Sequence, residues 1–315
     1  MNNYTMVRDF VLWGFSHLRE FQVLLFLFIL LVYMLIMLGN LSIITITYLD
    51  SRLHSPMYFF LCNFSLMEML VTSTVVPRML ADLLSTHKTI SLAECLTQSF
   101  FYFSLGSTDF LILTAMAFDR YVAICRPLRY PTIMSSQVCV RLVVACWVVG
   151  FFSIISPTIQ KSQLRFCGPN VIDHFFCDSA PLLKLSCSET HHIERVDFFL
   201  SLLFVLTTML LILISYILIV ASVLHIPSSS GRQKAFSTCA SHLTVVVLGY
   251  GSAIFIYVRP NKGHSTDLNK VVALMTSVVT PFLNPFIFTF RNEKVKEVIE
   301  DIVKKIFSRD SGAFR

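Results

Sequence analysis

Met116-Ala117-Phe118-Asp119-Arg120-Tyr121-Val122-Ala123-Ile124-Cys125 closes a long apolar run and opens onto a basic segment, Arg126-Pro127-Leu128-Arg129-Tyr130. An adjacent acid and base at the foot of a membrane-length helix is a costly arrangement. Charges at membrane depth are rare and usually functional, with a partner nearby. The plain alternative is a helix-end ion pair that snorkels to the interface. The hydrophobic runs on either side of this stretch favour a switch.

Of the 315 residues, 55% are hydrophobic and only 14% are charged, where a soluble domain carries about 25% charged residues. A chain this apolar would expose large patches in water, so the bilayer is its natural solvent. The net charge of +6 is modest and sits largely at one end, which argues against a nucleic-acid partner. No cleavable signal peptide is read: residues 1–20 are mixed and polar, and the first apolar run is long enough to stay as an anchor.

Seven apolar runs, at 22–48, 57–84, 93–125, 138–160, 196–224, 235–258 and 268–290, each approach the length of a helical span. Beyond them, residues 292–306 place apolar side chains at 295, 298, 299, 302, 303 and 306, the spacing of a basic amphipathic helix lying on the membrane. The expected architecture is an all-α membrane protein. A tail spans 1–21, a seven-transmembrane helix bundle 22–290, and a short amphipathic eighth helix with a tail 291–315.

Orientation follows from chemistry more than from the weak Lys and Arg bias between the two sides. Asn3-Tyr4-Thr5 is a glycosylation sequon in the polar tail, whereas the matches at Asn40 and Asn63 fall inside apolar runs beyond a glycosyltransferase's reach. Of nine cysteines, Cys95, Cys167, Cys177 and Cys187 lie on the tail's side, three of them in the long loop 161–195. Two disulfides in an oxidising compartment are expected, with three pairings open. The N-terminus is therefore read as extracellular, in a multi-pass plasma-membrane protein.

Seven helices with Asp-Arg-Tyr at the foot of the third resemble a rhodopsin-like G-protein-coupled receptor. The finer resemblance is to the odorant receptor family, probed over nearly the whole chain by five stretches. Leu53-His54-Ser55-Pro56-Met57-Tyr58-Phe59-Phe60-Leu61 opens the second helix, and 116–125 ends the third with Phe118 where the family usually has Tyr. Ser215-Tyr216 lies in the fifth, and Lys234-Ala235-Phe236-Ser237-Thr238-Cys239-Ala240-Ser241-His242-Leu243 opens the sixth. Pro281-Phe282-Leu283-Asn284-Pro285-Phe286-Ile287-Phe288 ends the seventh. The short tail and long second loop fit the tetrapod-type class.

The resemblance implies a receptor for small volatile, mostly uncharged odorants. It implies coupling to a stimulatory heterotrimeric G protein that raises cAMP, and residence in olfactory sensory neuron cilia. Arg120 would pair with Asp119 at rest and swing towards the G protein or Tyr216 on activation. Tyr121, Lys234, Asn284 and Pro285 complete the coupling set, and Pro157, Pro281 and Pro285 are candidate hinges. The resemblance also pairs Cys95 with Cys177 and Cys167 with Cys187.

The family's pocket uses the outer thirds of helices three, five, six and seven. Here that gives Tyr102, Phe103, Gly106, Ser107 and Phe110 on the third and Leu200, Ser201 and Phe204 on the fifth. The sixth supplies Tyr250, Ala253, Ile254 and Tyr257, and the seventh Leu274 and Ser277. Such a lining is apolar with a few hydroxyls. Tyr102 stands where amine receptors carry an Asp, so a protonated amine lacks its counter-ion. No buried base is read among the pocket positions, so a carboxylate odorant is not expected, with Arg259 near the top of helix six as the counterweight.

Glu68 and Asp109 lie within spans, each expensive if alone. With Asn40 and Asn284 they are expected to enclose a sodium ion or to share a proton; no other cofactor or metal is read. The family more often has Asp in the second helix and Glu in the third, so this pair is exchanged. His174, Cys177 and Asp178 with His191 and His192 are not read as a metal site, since Cys177 is taken by the implied disulfide and the His pair shares no helical face.

Three alternatives compete with an odorant receptor. A seven-helix transporter needs a charged path and usually an internal repeat, and only Glu68 and Asp109 qualify. An intramembrane enzyme needs a constellation such as His-Glu-x-x-His or Gly-x-Ser-x-Gly, which the chain lacks. A receptor of the same fold for a non-odorant ligand outside the olfactory epithelium is the nearest alternative.

Overall fold

The computed structural model describes residues 7, 9–15, 20–225, 227–254, 266–290 and 293–312. Its long helices are α1 (Gln22–Leu49), α2 (Pro56–Leu84), α3 (Leu92–Cys125), α4 (Ser136–Ser162), α5 (His191–Leu224) and α6 (Ser229–Ala253). Next, Thr266–Leu274, a π-helical turn Met275–Val279 and Thr280–Phe290 run on as α7, and α8 is Glu293–Gly312. Six of these are long and apolar enough to cross a membrane, and α6 contributes a shorter apolar stretch, Cys239–Ala253. Backbone groups in hydrocarbon must be satisfied within their own segment, which is why runs of this length and apolarity become helices.

Local chemistry sets several boundaries. Pro56 occupies the first turn of α2, where its missing N–H costs nothing. Ser91 and Glu94 form a reciprocal capping box that starts α3: the Glu94 N–H donates to Ser91 Oγ (3.3 Å) and the Ser91 N–H to Glu94 Oε2 (2.9 Å). In α7 the π-helical turn lies just before Pro281. Proline cannot bond the carbonyl four residues back, here that of Ser277. That oxygen instead accepts from the Thr72 hydroxyl of α2 at 3.2 Å. The break in α7 is thus repaired by a neighbouring helix.

Helix α3 is the axis of the bundle and packs on α2, α4 and α5. Its tightest approach is at Gly150 of α4, where an added Cβ would lie 2.1 Å from Thr108 Oγ1, 2.9 Å from the Thr108 nitrogen and 3.0 Å from the Ser104 oxygen. Small residues at membrane helix contacts permit such spacing. At the foot of the bundle, Val295 and Val298 of α8 are buried in the cluster that holds Leu53, Tyr58 and Phe288. One face of the amphipathic helix therefore packs on protein.

Two sequence expectations change. The second loop is shorter than 161–195, because α4 runs to Ser162 and α5 starts at His191. The N-terminal tail is also more than polar chain. Asp9–Leu12 (β1) is the central strand of a small sheet, antiparallel to Thr89–Ser91 (β2) and parallel to Val171–Ile172 (β3). Its alternate residues Phe10 and Leu12 are fully buried against Ile90, Phe166 and Ile172, the period expected of a strand with one apolar face. Tail, first loop and second loop together make a lid over one end of the bundle.

Candidate functional site

Beneath the lid, α3 presents the face read as the pocket. Tyr102 is buried against Phe176 of the second loop, with ring centroids 4.6 Å apart. Its hydroxyl donates to Thr276 Oγ1 on α7 at 3.4 Å, since that oxygen already donates to the Ala273 carbonyl. Phe103 meets Tyr102 edge-on at 5.3 Å. One turn further in, nothing lies within 4 Å of a Cβ built on Gly106, so this side of α3 borders open space. Phe110 closes the lower end against Tyr250 of α6, edge to face at 4.7 Å. The Tyr250 hydroxyl points towards Thr114 and Thr208 and closes no hydrogen bond with either.

The other pocket residues divide. Ser107, Ser201, Phe204 and Leu274 are half-buried, Ala253 is buried, and Ile254 is at the edge of exposure. Leu200 falls on the outward face of α5 with Phe199 and Leu203. Ser277 is fully buried, but its hydroxyl is bonded to the Ala273 carbonyl and its backbone faces α2. Tyr257 and Arg259 lie outside the described residues, as does Asn3. A concavity of about 430 Å³ at Glu189, His191, Glu194, Arg195 and Phe198 is open and lies away from this face.

Disulfides join Cys95 to Cys177 (Cα–Cα 5.3 Å) and Cys167 to Cys187 (5.8 Å). Gln98 reinforces the first by accepting from the Cys177 N–H at 3.1 Å while donating to the Thr74 carbonyl at 2.9 Å. Lys161 of α4 reaches Asp197 of α5 at 2.8 Å, and Ser179 donates to the same carboxylate at 3.1 Å. Beside them Asp178 is buried, which pushes its carboxyl up to about 6. His174 is buried between Phe175 and Phe176, and burial beside Lys270 pushes it down to about 3. Lys270 itself is a buried base on α7, at the lid's edge and paired with Asp173. It is not among the pocket positions read from the sequence.

In the middle of the bundle, Asn284 Nδ2 donates to Glu68 Oε1 at 2.5 Å. Asp109 Oδ1 and Asn284 Oδ1 are buried without partners. Asn40 does not join them; its amide donates to the Ile36 carbonyl of its own helix at 3.0 Å. Pro285 packs against α1, where a Cβ on Gly39 would meet the proline ring at 3.1 Å.

At the foot of α3 the expected Asp119–Arg120 ion pair is not formed. Adjacent helix residues point about 100° apart and do not face each other. Asp119 is buried and accepts from the Tyr130 hydroxyl at 2.8 Å. Tyr121 is half-buried beside Phe118, with centroids 6.3 Å apart. Tyr216 of α5 is occupied by His242 of α6, 2.8 Å from its hydroxyl to Nδ1, and His242 Nε2 lies 3.0 Å from the Leu113 carbonyl. A carbonyl only accepts, so Nε2 carries a proton; in the neutral ring Nδ1 then accepts from the phenol. One imidazole thereby ties α3, α5 and α6 together. Lys234 lies within α6, and its side chain is outside the described residues. His242 belonged to a stretch already singled out, yet its role needed two partners from distant helices.

The family description "Olfactory receptor" matches residues 29–309. Human Olfactory receptor 6J1 is 51% identical over 313 residues, 98% of this chain and 90% of that protein. Human Olfactory receptor 6S1 is 52% identical over 95% of this chain and 90% of its own length, and mouse Olfactory receptor 6E1 52% over 97% and 98%.

Proposed function

The chain belongs to the olfactory receptor family, a family of multi-pass G-protein-coupled receptors, and on that premise we propose what it binds and how it signals. The ligand is a small, mostly uncharged volatile held between α3, α5, α6 and α7. The observation that carries this is the open space beside Gly106, floored by Phe110 and Tyr250 and roofed by Tyr102 and Phe176. Tyr102, Ser107 and Tyr250 supply the hydroxyls, and apolar walls supply most of the affinity. The partner is a stimulatory G protein, with cAMP as output. The N-terminal tail and the disulfides face the exterior, and olfactory cilia are the site of action.

The coupling step follows from the contacts at the foot. A ligand pressing on Phe110 and Tyr250 bears on α3 and α6, the two helices joined lower down through His242. Displacing α6 breaks the Tyr216–His242–Leu113 connection and frees the Tyr216 phenol for Arg120. A ligand shifts this equilibrium only by the difference in its affinity for the two states. Between pocket and foot, the two unpartnered oxygens of Asp109 and Asn284 beside Glu68 suit a sodium ion or a shared proton.

The test is a cAMP reporter in cells with receptor confirmed at the surface, challenged by a broad panel of uncharged volatiles. A concentration-dependent rise supports the reading. Silence with surface receptor present would refute the ligand class or the G protein, and a promiscuous G protein in the same cells separates the two.

A further inference from the structure

Three segments distant in sequence converge on Lys270. Its ammonium is buried, forms an ion pair with Asp173 of the second loop, and lies 3.5 Å from the Gly14 carbonyl of the tail. Gly14 has φ +51°, a conformation L side chains rarely adopt, and this turn directs the tail over Phe175. On either side of the ion pair the tail is laced to the loop: Trp13 N–H donates to the Ile172 carbonyl at 2.9 Å and Gly14 N–H to the His174 carbonyl at 3.1 Å. Asp173 is half-exposed while Lys270 is 3% exposed at its side chain. The charge is therefore sealed from below and capped from the solvent side.

Burying a lysine is expensive, and an apolar side chain of similar volume would be cheaper if packing were its only task. The lid is also held to the bundle by the Cys95–Cys177 bond and the Gln98 contact on α3, by Arg78 of α2 donating to the Thr89 carbonyl, and by Ser179 donating to Asp197 of α5. Among the described residues, the side-chain polar contact given between the lid and α7 is this cluster.

We propose that Lys270, Asp173 and the Gly14 carbonyl form a clasp that holds the loop-and-tail lid shut on α7 and sets how readily ligand enters and leaves. The clasp rests on the reading of the space below as the ligand site, but its presence can be measured without ligand. Because α7 also carries Thr276 against Tyr102, releasing the clasp loosens the roof from two sides.

The test is amide hydrogen exchange at Trp13 and Gly14 in the full-length receptor in membranes. Asp173→Asn and Lys270→Met are each expected to speed exchange about tenfold, the effect of losing one charge-assisted contact on a local opening. The charge exchange Asp173→Lys with Lys270→Asp is expected to bring it back to within about threefold, as coupled residues do in a mutant cycle. Lys270→Arg should stay near wild type. Unchanged exchange in the single variants, or a double variant as fast as the two single effects combined, would overturn the clasp. If a single variant fails to reach the surface, the charge-exchanged receptor must recover delivery; failure there also overturns it. Fast exchange with an unaltered volatile response would instead leave the clasp and refute the ligand site.

Discussion

Gly150→Ala tests whether the bundle is organised around α3 as described. The added methyl would sit 2.1 Å from Thr108 Oγ1, well inside contact distance. Rotating that hydroxyl away gives up its 2.9 Å hydrogen bond to the Ser104 carbonyl, at a cost of about 1 kcal/mol. Rotation does not relieve the backbone contacts, 2.9 Å to the Thr108 nitrogen and 3.0 Å to the Ser104 oxygen. Helices α3 and α4 must therefore part by several tenths of an ångström, and overpacking of this kind costs about 1–3 kcal/mol. The total of about 2–4 kcal/mol corresponds to a fall of roughly 5–15 °C in melting temperature, taking about 2–4 °C per kcal/mol. Purified receptor in detergent, followed by thiol-reactive dye or scattering on a temperature ramp, reads this directly. Thr108→Ala in the same chain should recover only the hydroxyl's share, because the backbone atoms remain. An unchanged melting temperature in Gly150→Ala, or complete rescue by Thr108→Ala, would refute the packing argument.

Other outcomes follow from the same contacts. Cys95→Ser opens a loop of 82 residues' separation and is expected to cost about 2–4 kcal/mol, seen as reduced surface staining; normal staining and signalling would contradict it. Burial pushes the Asp178 carboxyl from 3.8 up to about 6, against the opposing pull of the Ser179 N–H and Lys161. A raised carboxyl binds its proton better in the folded state, so the destabilisation it contributes above pH 6 is relieved as pH falls from about 6 to about 4. Asp178→Asn should remove that slope in thermal melts while keeping the Ser179 cap; an unaltered slope would assign it elsewhere. His242→Ala unties Tyr216 from Leu113, and basal cAMP is expected to rise several-fold at matched surface level; unchanged basal output would mean that the connection does not hold the resting state.

The bundle was legible in the sequence because hydrocarbon leaves a long apolar run one stable choice, a helix. The lid was less so. Phe10-Val11-Leu12 alternates correctly for a strand, but its partners lie about 80 and 160 residues away, and a four-residue strand gives little alternation to count. Lys270 lies near a span's end, and nothing local marks it, since its partner Asp173 is in a loop from another part of the chain. At the foot of α3 the Asp-Arg-Tyr pattern located the charged site, and helix geometry then chose Tyr130 rather than Arg120 as the partner of Asp119. Within the pocket, helical spacing grouped Tyr102, Gly106 and Phe110 on one face, whereas Leu200 and Ser277 depended on the rotation of α5 and α7 in the bundle.

The most direct measurement of the central claim is nucleotide exchange on purified stimulatory G protein, driven by receptor-bearing membranes with and without an activating volatile. Wild-type receptor should accelerate exchange on adding the volatile. Gly106→Val, which fills the open space without touching the foot, should shift or abolish the response to that compound while leaving basal exchange in place. Arg120→Ala should abolish acceleration at equal receptor density. Full acceleration in Arg120→Ala would contradict the coupling mechanism, and an unmoved concentration dependence in Gly106→Val would contradict the ligand site.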